Sequence, residues 1–198
     1  MINEKKFEIR KLNVKQVIGT YHCYLSNDFP RDERRPLYIM LWGMATGRYE
    51  CLGAFYKEKM LGYAFFVKQN NDYLWDYLAI NKKLRDKGIG TIFLKKIMEY
   101  YREADSVIGE VENPATSGDE DERIIRERRI DFYLRNGCFD TTVRVSTFGV
   151  NFIILQATGK PQDVSAVKEL YRTHYKLYLS ERIYRKNIHF LPEERYKV

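Results

Sequence analysis

Residues 85–90, with the sequence RDKGIG, constrain the fold most, because the periodicity of the chain changes on either side of them. Residues 73–80 precede them and are rich in aromatic and aliphatic side chains, which is typical of a buried strand. After them, apolar side chains recur at helical spacing at Ile92, Phe93, Ile97, Met98 and Tyr101. The sequence therefore predicts a turn from a strand into a helix.

The composition of this turn favours the binding of phosphate groups. Gly88 and Gly90 can adopt backbone conformations that other residues disfavour, and they let a ligand approach the main chain closely. The first N–H groups of the following helix lack partners within the helix and lie at the positive end of its dipole. Arg85 and Lys87 add positive charge at the same place. Spacing alone does not separate this interpretation from an ordinary connection with a solvated Arg and Lys.

Two other phosphate-binding loops fit these residues less well. The dinucleotide-binding pattern needs a third glycine, and Phe93 occupies the position where that glycine would stand. A P-loop ends in Gly-Lys-Ser or Gly-Lys-Thr, and the sequence contains neither tripeptide. Both of these nucleotide-binding classes are therefore disfavoured for the turn.

The arrangement Arg85-x-x-Gly88-x-Gly90 resembles the R/Q-x-x-G-x-G/A signature of the GNAT superfamily, the acyl-CoA-dependent N-acyltransferases. Residues 78–80, which precede the turn, look like the end of that family's fourth strand. The resemblance implies an enzyme that uses acetyl-CoA as its co-substrate and holds the pyrophosphate of that molecule at this turn.

A second segment, residues 131–137, strengthens the resemblance. In the family, a tyrosine commonly stands four residues before the glycine that ends a late helix, close to the sulfur of the co-substrate. Tyr133 and Gly137 keep that spacing, whereas Cys138 replaces the phenylalanine that usually follows the glycine. The resemblance implies that Tyr133 protonates the departing CoA thiolate as a general acid; a core tyrosine on an amphipathic helix is the alternative.

The order of the predicted elements is similar to that of the GNAT fold over residues 7–157. Strands are predicted at 7–12, 51–56, 61–67, 73–80, 106–112, 139–147 and 150–157. Helices are predicted at 14–25, 37–47 and 122–134, and from the end of the 85–90 turn to about residue 103. We therefore predict an α/β (α+β) fold with a mixed central sheet of about seven strands flanked by helices. Residues 1–158 form the predicted acyltransferase domain, and residues 159–198 a C-terminal helical extension.

The extension contains one predicted helix over residues 163–184, with Tyr171 and Tyr175 among the side chains along it. We expect it to pack on the domain or to form a contact in a homodimer. The resemblance does not explain these last residues, because it ends near residue 157.

The resemblance also implies which residues contact the co-substrate. In the family the fourth and fifth strands splay apart, and the main chain of the fourth strand pairs with the pantetheine arm. The implied contacts are Leu78, Ala79, Ile80, Arg85, Asp86, Lys87, Gly88, Ile89, Gly90 and Thr91. A main-chain N–H of the strand could also polarise the thioester carbonyl.

Transfer to an amine needs a group that removes a proton, because an amine with a pKa of about 10.4 is protonated near neutral pH. Glu110 stands on the predicted fifth strand, where some family members keep a glutamate base. Asp76 is the rival candidate, since a carboxylate between Trp75 and Tyr77 needs a partner or a function. It could also face solvent or cap a loop.

Charge and composition limit the other functions. The net charge is +7, but basic and acidic residues are interspersed and no nucleic-acid docking motif is present, so we expect no nucleic acid as partner. The three cysteines and three histidines do not form a metal-ligand spacing, so no metal site is predicted. With no signal-peptide pattern and no apolar run long enough to cross a bilayer, we expect a cytoplasmic protein without a membrane partner.

The acceptor of the acetyl group is the least constrained part of the prediction. We expect a primary amine on a small molecule or a peptide. A catalytically silent protein that senses acyl-CoA is the alternative function, although the presence of Tyr133 argues against it.

Overall fold

The computed structural model describes residues 4–31, 33–85 and 87–196, which form two compact units. The first unit comprises the described residues up to Lys68 together with Trp75–Tyr101. The second comprises Gln69–Leu74 and the described residues from Arg102 onward.

The first unit contains strands in the order β1, β2, β3 and β4, of which β1, β2 and β3 pair antiparallel. Their bounds are β1 (Phe7–Lys11), β2 (Tyr49–Tyr56), β3 (Lys59–Gln69) and β4 (Asp72–Ile80). The last residue of β3 and the first three residues of β4 belong to the second unit. The helices are α1 (Val14–Thr20), α2 (Ser26–Asp28), α3 (Leu37–Ala45) and α4 (Ile89–Tyr100). A π-helical turn, Tyr21–Leu25, joins α1 to α2.

Helix α1 begins at a capping box formed by Asn13 and Gln16. The Asn13 side chain accepts a hydrogen bond from the N–H of Gln16, and the Gln16 side chain accepts one from the N–H of Asn13. The core of this unit is formed by the strands and by α4, and its fully buried side chains include Leu52, Phe65, Phe66, Phe93 and Leu94. Burial of each such side chain stabilises the fold by about 1.5–3 kcal/mol.

The second unit contains strands in the order β5, β7, β6 and β8, all paired antiparallel. The strands are β5 (Ser106–Glu112), β6 (Phe139–Thr147), β7 (Val150–Gly159) and β8 (Ile188–Phe190). The helices are α5 (Glu120–Arg135), α6 (Val164–Lys176) and α7 (Glu181–Asn187).

The C-terminal residues differ from the prediction of one helix over residues 163–184. Helix α6 ends at Lys176, and α7 starts after Ser180, whose side chain accepts a hydrogen bond from the N–H of Ile183. After α7, strand β8 pairs with β6. The prediction was wrong here because apolar spacing continues through a position where a serine caps a new helix.

The predicted α/β fold class is confirmed, with eight strands in the described residues instead of about seven. No helix within residues 4–31, 33–85 and 87–196 is long and apolar enough to span a membrane. In the same part of the chain, no group of three His, Cys, Asp or Glu side chains is arranged to hold a metal ion.

Candidate functional site

The turn predicted to bind phosphate joins β4 to α4 in the first unit. Gly88 is the N-cap of α4 and lies in the left-handed region, at φ +74° and ψ −1°. The N–H of Ile92 donates to the carbonyl of Gly88 at 3.3 Å and closes the first turn of the helix. Residues 89–91 precede this bond, so their N–H groups have no acceptor within the helix. A Cβ added to Gly88 would have no atom within 4 Å, so the main chain is open there.

Two basic side chains of the turn are held by nearby groups of the same unit. The Arg85 guanidinium donates to the carbonyl of Ile80 at 3.4 Å and lies 3.8 Å from the carboxylate of Asp28. Lys87 donates to the carbonyl of Lys83 at 3.1 Å. Arg85 is half exposed, so its guanidinium can turn toward an anion at the start of α4. The predicted contact Asp86 lies outside the described residues.

Asp28 links this turn to the segment after α1. Its carboxylate accepts a hydrogen bond from the Tyr63 hydroxyl at 3.0 Å and lies 3.9 Å from the Lys82 ammonium as well as near Arg85. Only 9% of its side chain is exposed. Asp28 is not among the predicted site residues, because no local pattern distinguishes it from the other charged residues of the segment 26–36.

The three predicted contacts at the end of β4 lie close to β3. The carbonyl of Ala79 would be 2.6 Å from a Cβ at position 62, so only glycine fits there. The N–H of Asn81 donates to the carbonyl of Leu61 at 2.9 Å. Ala79 and Ile80 are buried, and Leu78 is partly exposed. The end of β4 is therefore held by close packing against β3.

Asp76 has a defined set of partners in the first unit. The Arg35 guanidinium donates to both of its oxygens, at 2.7 and 3.1 Å, and the Tyr49 hydroxyl donates at 2.6 Å. Burial, with Asp76 next in effect, raises the pKa of Tyr49 well above its usual value. The neighbouring Tyr77 hydroxyl accepts from the N–H of Arg35 at 2.7 Å and donates to the carbonyl of Glu33 at 2.9 Å. These bonds fasten the segment before α3 to β2 and β4.

Tyr133 lies on α5 in the second unit, and its side chain is buried. Burial raises the pKa of Tyr133 to about 12, so the phenol is protonated at neutral pH, as a proton donor must be. Its carbonyl accepts hydrogen bonds from Asn136 and Cys138, both at 3.1 Å, and Gly137 has φ +94°. The glycine therefore ends the helix that carries the phenol, which is the arrangement that the spacing predicts.

Glu110 lies on β5, and two tyrosines of α6 donate to its carboxylate. The Tyr175 hydroxyl is 2.9 Å from one oxygen and 2.8 Å from the other. The Tyr171 hydroxyl donates to Glu110 and lies 2.6 Å from the Thr147 hydroxyl. Both tyrosines lie in the helix predicted over residues 163–184, but no function was predicted for them. Their i, i+4 spacing, which puts two phenols on one face, was the available signal.

The family model described as "Acetyltransferase (GNAT) family" matches residues 16–117, just over half of the chain. No curated protein matches the sequence significantly.

Several solved structures share the fold. A GNAT-family protein from Bacteroides thetaiotaomicron is 19% identical, covers 86% of this chain and 96% of its own, and has a TM-score of 0.66. The ribosomal-protein-S18-alanine N-acetyltransferase from Escherichia coli is 16% identical, covers 76% and 92%, and has a TM-score of 0.54. A GNAT family acetyltransferase from Elizabethkingia anophelis with acetyl-CoA bound is 16% identical, covers 76% and 97%, and has a TM-score of 0.53. At these identities the likeness concerns the fold.

Proposed function

This chain belongs to the acetyltransferase (GNAT) family, and from that premise we propose that it moves an acetyl group from acetyl-CoA to a primary amine by direct attack. The observation that carries the proposal is the start of α4. There a left-handed Gly88 precedes three N–H groups without helical acceptors, and Arg85 and Lys87 stand in the same turn. Such a helix start stabilises the negative charge of a pyrophosphate.

Within this proposal the pyrophosphate contacts are Arg85, Lys87, Gly88, Ile89, Gly90 and Thr91, with Asp86 in the same turn. The main chain of Leu78, Ala79 and Ile80 holds the pantetheine arm, and one of its N–H groups polarises the thioester carbonyl. The packing of β4 against Gly62 supports the proposed role of the strand in holding the pantetheine arm, because a rigidly held strand presents its main-chain groups in fixed positions.

Glu110 is the proposed general base. It takes one proton from the ammonium group of the acceptor, and the neutral nitrogen then forms a C–N bond with the thioester carbonyl carbon while the carbonyl oxygen becomes an oxyanion. The nitrogen loses its second proton to solvent, and the oxyanion re-forms the carbonyl as the C–S bond breaks. We propose Glu110 in preference to Asp76, because Arg35 already neutralises Asp76 through two hydrogen bonds.

Tyr133 is the proposed general acid. As the C–S bond breaks, its hydroxyl donates a hydrogen bond to the departing sulfur. The proton then passes to the sulfur, so that CoA is released as a thiol. A phenol whose pKa is about 12 keeps its proton in the resting enzyme. The proton moves only when charge has developed on the sulfur, and the enzyme then exchanges protons with solvent to restore Tyr133 and Glu110.

Thermal unfolding tests co-substrate binding before any acceptor is known. Acetyl-CoA at about one hundred times its Kd should raise the Tm by roughly 5–10 °C, since a ligand of the folded state stabilises that state alone. Adenosine at the same concentration, which lacks the pyrophosphate, is the control. An unchanged Tm with acetyl-CoA contradicts the proposed site.

An acceptor screen tests the reaction. Polyamines, aminoglycosides, amino acids and peptides with a free N-terminus are each incubated with enzyme and acetyl-CoA, and the released CoA thiol is measured. An acceptor should release thiol in the parent, and Tyr133→Phe should slow the release about a hundredfold. Binding of acetyl-CoA without thiol release from any acceptor would instead support an acyl-CoA sensor.

A further inference from the structure

The carboxylate of Glu110 accepts hydrogen bonds from two tyrosines of α6, although the packing of that helix needs only their rings. Tyr175 reaches both carboxylate oxygens, and Tyr171 reaches one of them. A phenylalanine at either position would fill almost the same volume without a hydroxyl, and the hydroxyl of the fully buried Tyr171 is costly to bury unless it is hydrogen bonded. The two hydroxyls therefore have a role beyond packing.

The direction of the hydrogen bonds follows from the chemistry of the groups. An ionised carboxylate only accepts hydrogen bonds, so Tyr171 must donate its single proton to Glu110. Tyr171 then accepts from the Thr147 hydroxyl, 2.6 Å away. The result is a directed chain from Thr147 through Tyr171 to Glu110, and both Thr147 and Tyr171 are buried. Such a chain fixes the orientation of the carboxylate.

Helix α6 is itself held firmly in place. Asp163 caps its start by accepting from the N–H of Ala166 at 2.8 Å, and Val167 and His174 are fully buried in the unit. The ring centroids of Tyr171 and Tyr175 are 4.8 Å apart, so each ring restricts the other. The two phenols are thus presented to β5 from a rigid surface.

We propose that Tyr171 and Tyr175 are positioning residues for the Glu110 base, which makes the C-terminal helix α6 part of the catalytic machinery. This inference rests on the proposed function, in which Glu110 removes the proton of the acceptor amine. Tyr171 is fully buried and acts only through Glu110, whereas Tyr175 is partly exposed and also shapes the access of solvent to the carboxylate. Fixing the base before the substrate arrives removes an orientational cost from the transfer step.

The pH profile of kcat/KM distinguishes this role from a structural one. Donors to the charged form of a carboxylate favour that form, so their loss should move the acid limb of the profile to higher pH. Tyr175→Phe should show this movement, with kcat about tenfold lower and the KM for acetyl-CoA unchanged. The Tyr171→Phe/Tyr175→Phe double variant should show a larger movement.

Tyr184→Phe is the matched control, because Tyr184 is a buried tyrosine of α7 in the same C-terminal segment. Its ring lies 5.3 Å from the Lys176 ammonium, a contact that phenylalanine retains. This variant should keep the pH profile of the parent. If Glu110→Gln loses the acid limb but Tyr175→Phe keeps the pH profile of the parent, the inference about the tyrosines is overturned and the proposed base is not. Full activity in Glu110→Gln would overturn the proposed base and the inference together.

A spectroscopic titration covers the case in which no acceptor is found. The ¹³C carboxyl signal of Glu110 is assigned by its disappearance in Glu110→Gln and is followed against pH in the parent and in Tyr175→Phe. The midpoint should lie at higher pH in Tyr175→Phe and stay in place in Tyr184→Phe. Equal midpoints in the parent and Tyr175→Phe would show that the phenol does not act on the carboxylate.

Discussion

Arg35 donates two hydrogen bonds to Asp76, from Nε to Oδ2 at 2.7 Å and from Nη2 to Oδ1 at 3.1 Å. Only 14% and 10% of the two side chains are exposed. The parallel geometry suits a planar guanidinium and a carboxylate, and it ties residue 35, just before α3, to the middle of β4.

Asp76→Asn should lower the free energy of unfolding by about 3 kcal/mol, because it leaves the Arg35 charge buried without its counter-ion. Urea unfolding of the variant measures this loss. Adding Arg35→Gln to Asp76→Asn should restore part of it, since two neutral amides no longer bury a charge. A double variant as unstable as the sum of the two single ones would mean that the pair is not coupled.

The same substitution separates the two candidate bases. If Glu110 is the base, folded Asp76→Asn should keep the acid limb of the pH–rate profile, whereas Glu110→Gln should lose it. Both variants are measured well below their Tm, where both are folded and their difference in stability does not affect the rates. Loss of the limb in Asp76→Asn, with Glu110→Gln unaffected, would reverse the assignment.

The left-handed conformation of Gly88 should affect the affinity of the enzyme for acetyl-CoA. Gly88→Ala places a Cβ on a residue with φ +74°, which costs about 1–2 kcal/mol and moves the N–H groups that follow. The KM for acetyl-CoA should therefore rise about tenfold, while the KM for the acceptor stays the same.

Gly47→Ala is the control for this strain. Gly47 has φ +70°, and an added Cβ there also meets no atom within 4 Å, but it follows α3 and lies outside the predicted binding residues. The two variants should lose similar stability, and only Gly88→Ala should raise the KM. Equal KM values in both variants would argue against pyrophosphate at the start of α4.

Local sequence patterns predicted the parts of this fold that local rules control. The aromatic and aliphatic run of β4, the helical spacing of apolar side chains in α4, and the glycines at the start of α4 and the end of α5 each act within a few residues. The order of the elements predicted from these patterns was similar to that of the GNAT fold. By contrast, the pairings of Asp76 with Arg35 and of Glu110 with Tyr171 and Tyr175 join residues far apart in sequence, so no local pattern encodes them.

His174 makes stability depend on pH. It is buried between two carbonyl oxygens, with Nδ1 2.7 Å from that of Leu170 and Nε2 3.3 Å from that of Asp72. Burial lowers its pKa below the usual 6.5 despite these acceptors. Because the unfolded chain then binds the proton more readily, the free energy of unfolding should fall as pH drops below about 6.5.

Urea unfolding at several values between pH 7.5 and pH 5.5 measures this effect above the range where most carboxylates titrate. His174→Gln should flatten the dependence, although it lowers stability at every pH. His189→Gln, which changes an exposed histidine of the same unit, should leave the slope as in the parent. An unaltered slope in His174→Gln would assign the dependence to other groups.

Thr142 stores strain in the second unit. It has φ +64°, a value that a β-branched residue rarely adopts, at the irregularity between Asp140 and Arg144 in β6. Its N–H donates to the Asp140 carboxylate at 2.9 Å, and that bond needs no side chain at position 142. Thr142→Gly should therefore raise the free energy of unfolding by about 1 kcal/mol, because relief of the left-handed strain exceeds the extra entropy of glycine in the unfolded chain.

Denaturant unfolding compares this variant with Thr158→Gly, which changes a threonine of β7 that has no positive φ. Thr158→Gly should lower stability by about 0.5–1 kcal/mol, since there glycine adds entropy to the unfolded chain without relieving strain. The two substitutions should thus have opposite signs. A loss of stability in Thr142→Gly comparable with that in Thr158→Gly would show that the backbone at residue 142 is not strained.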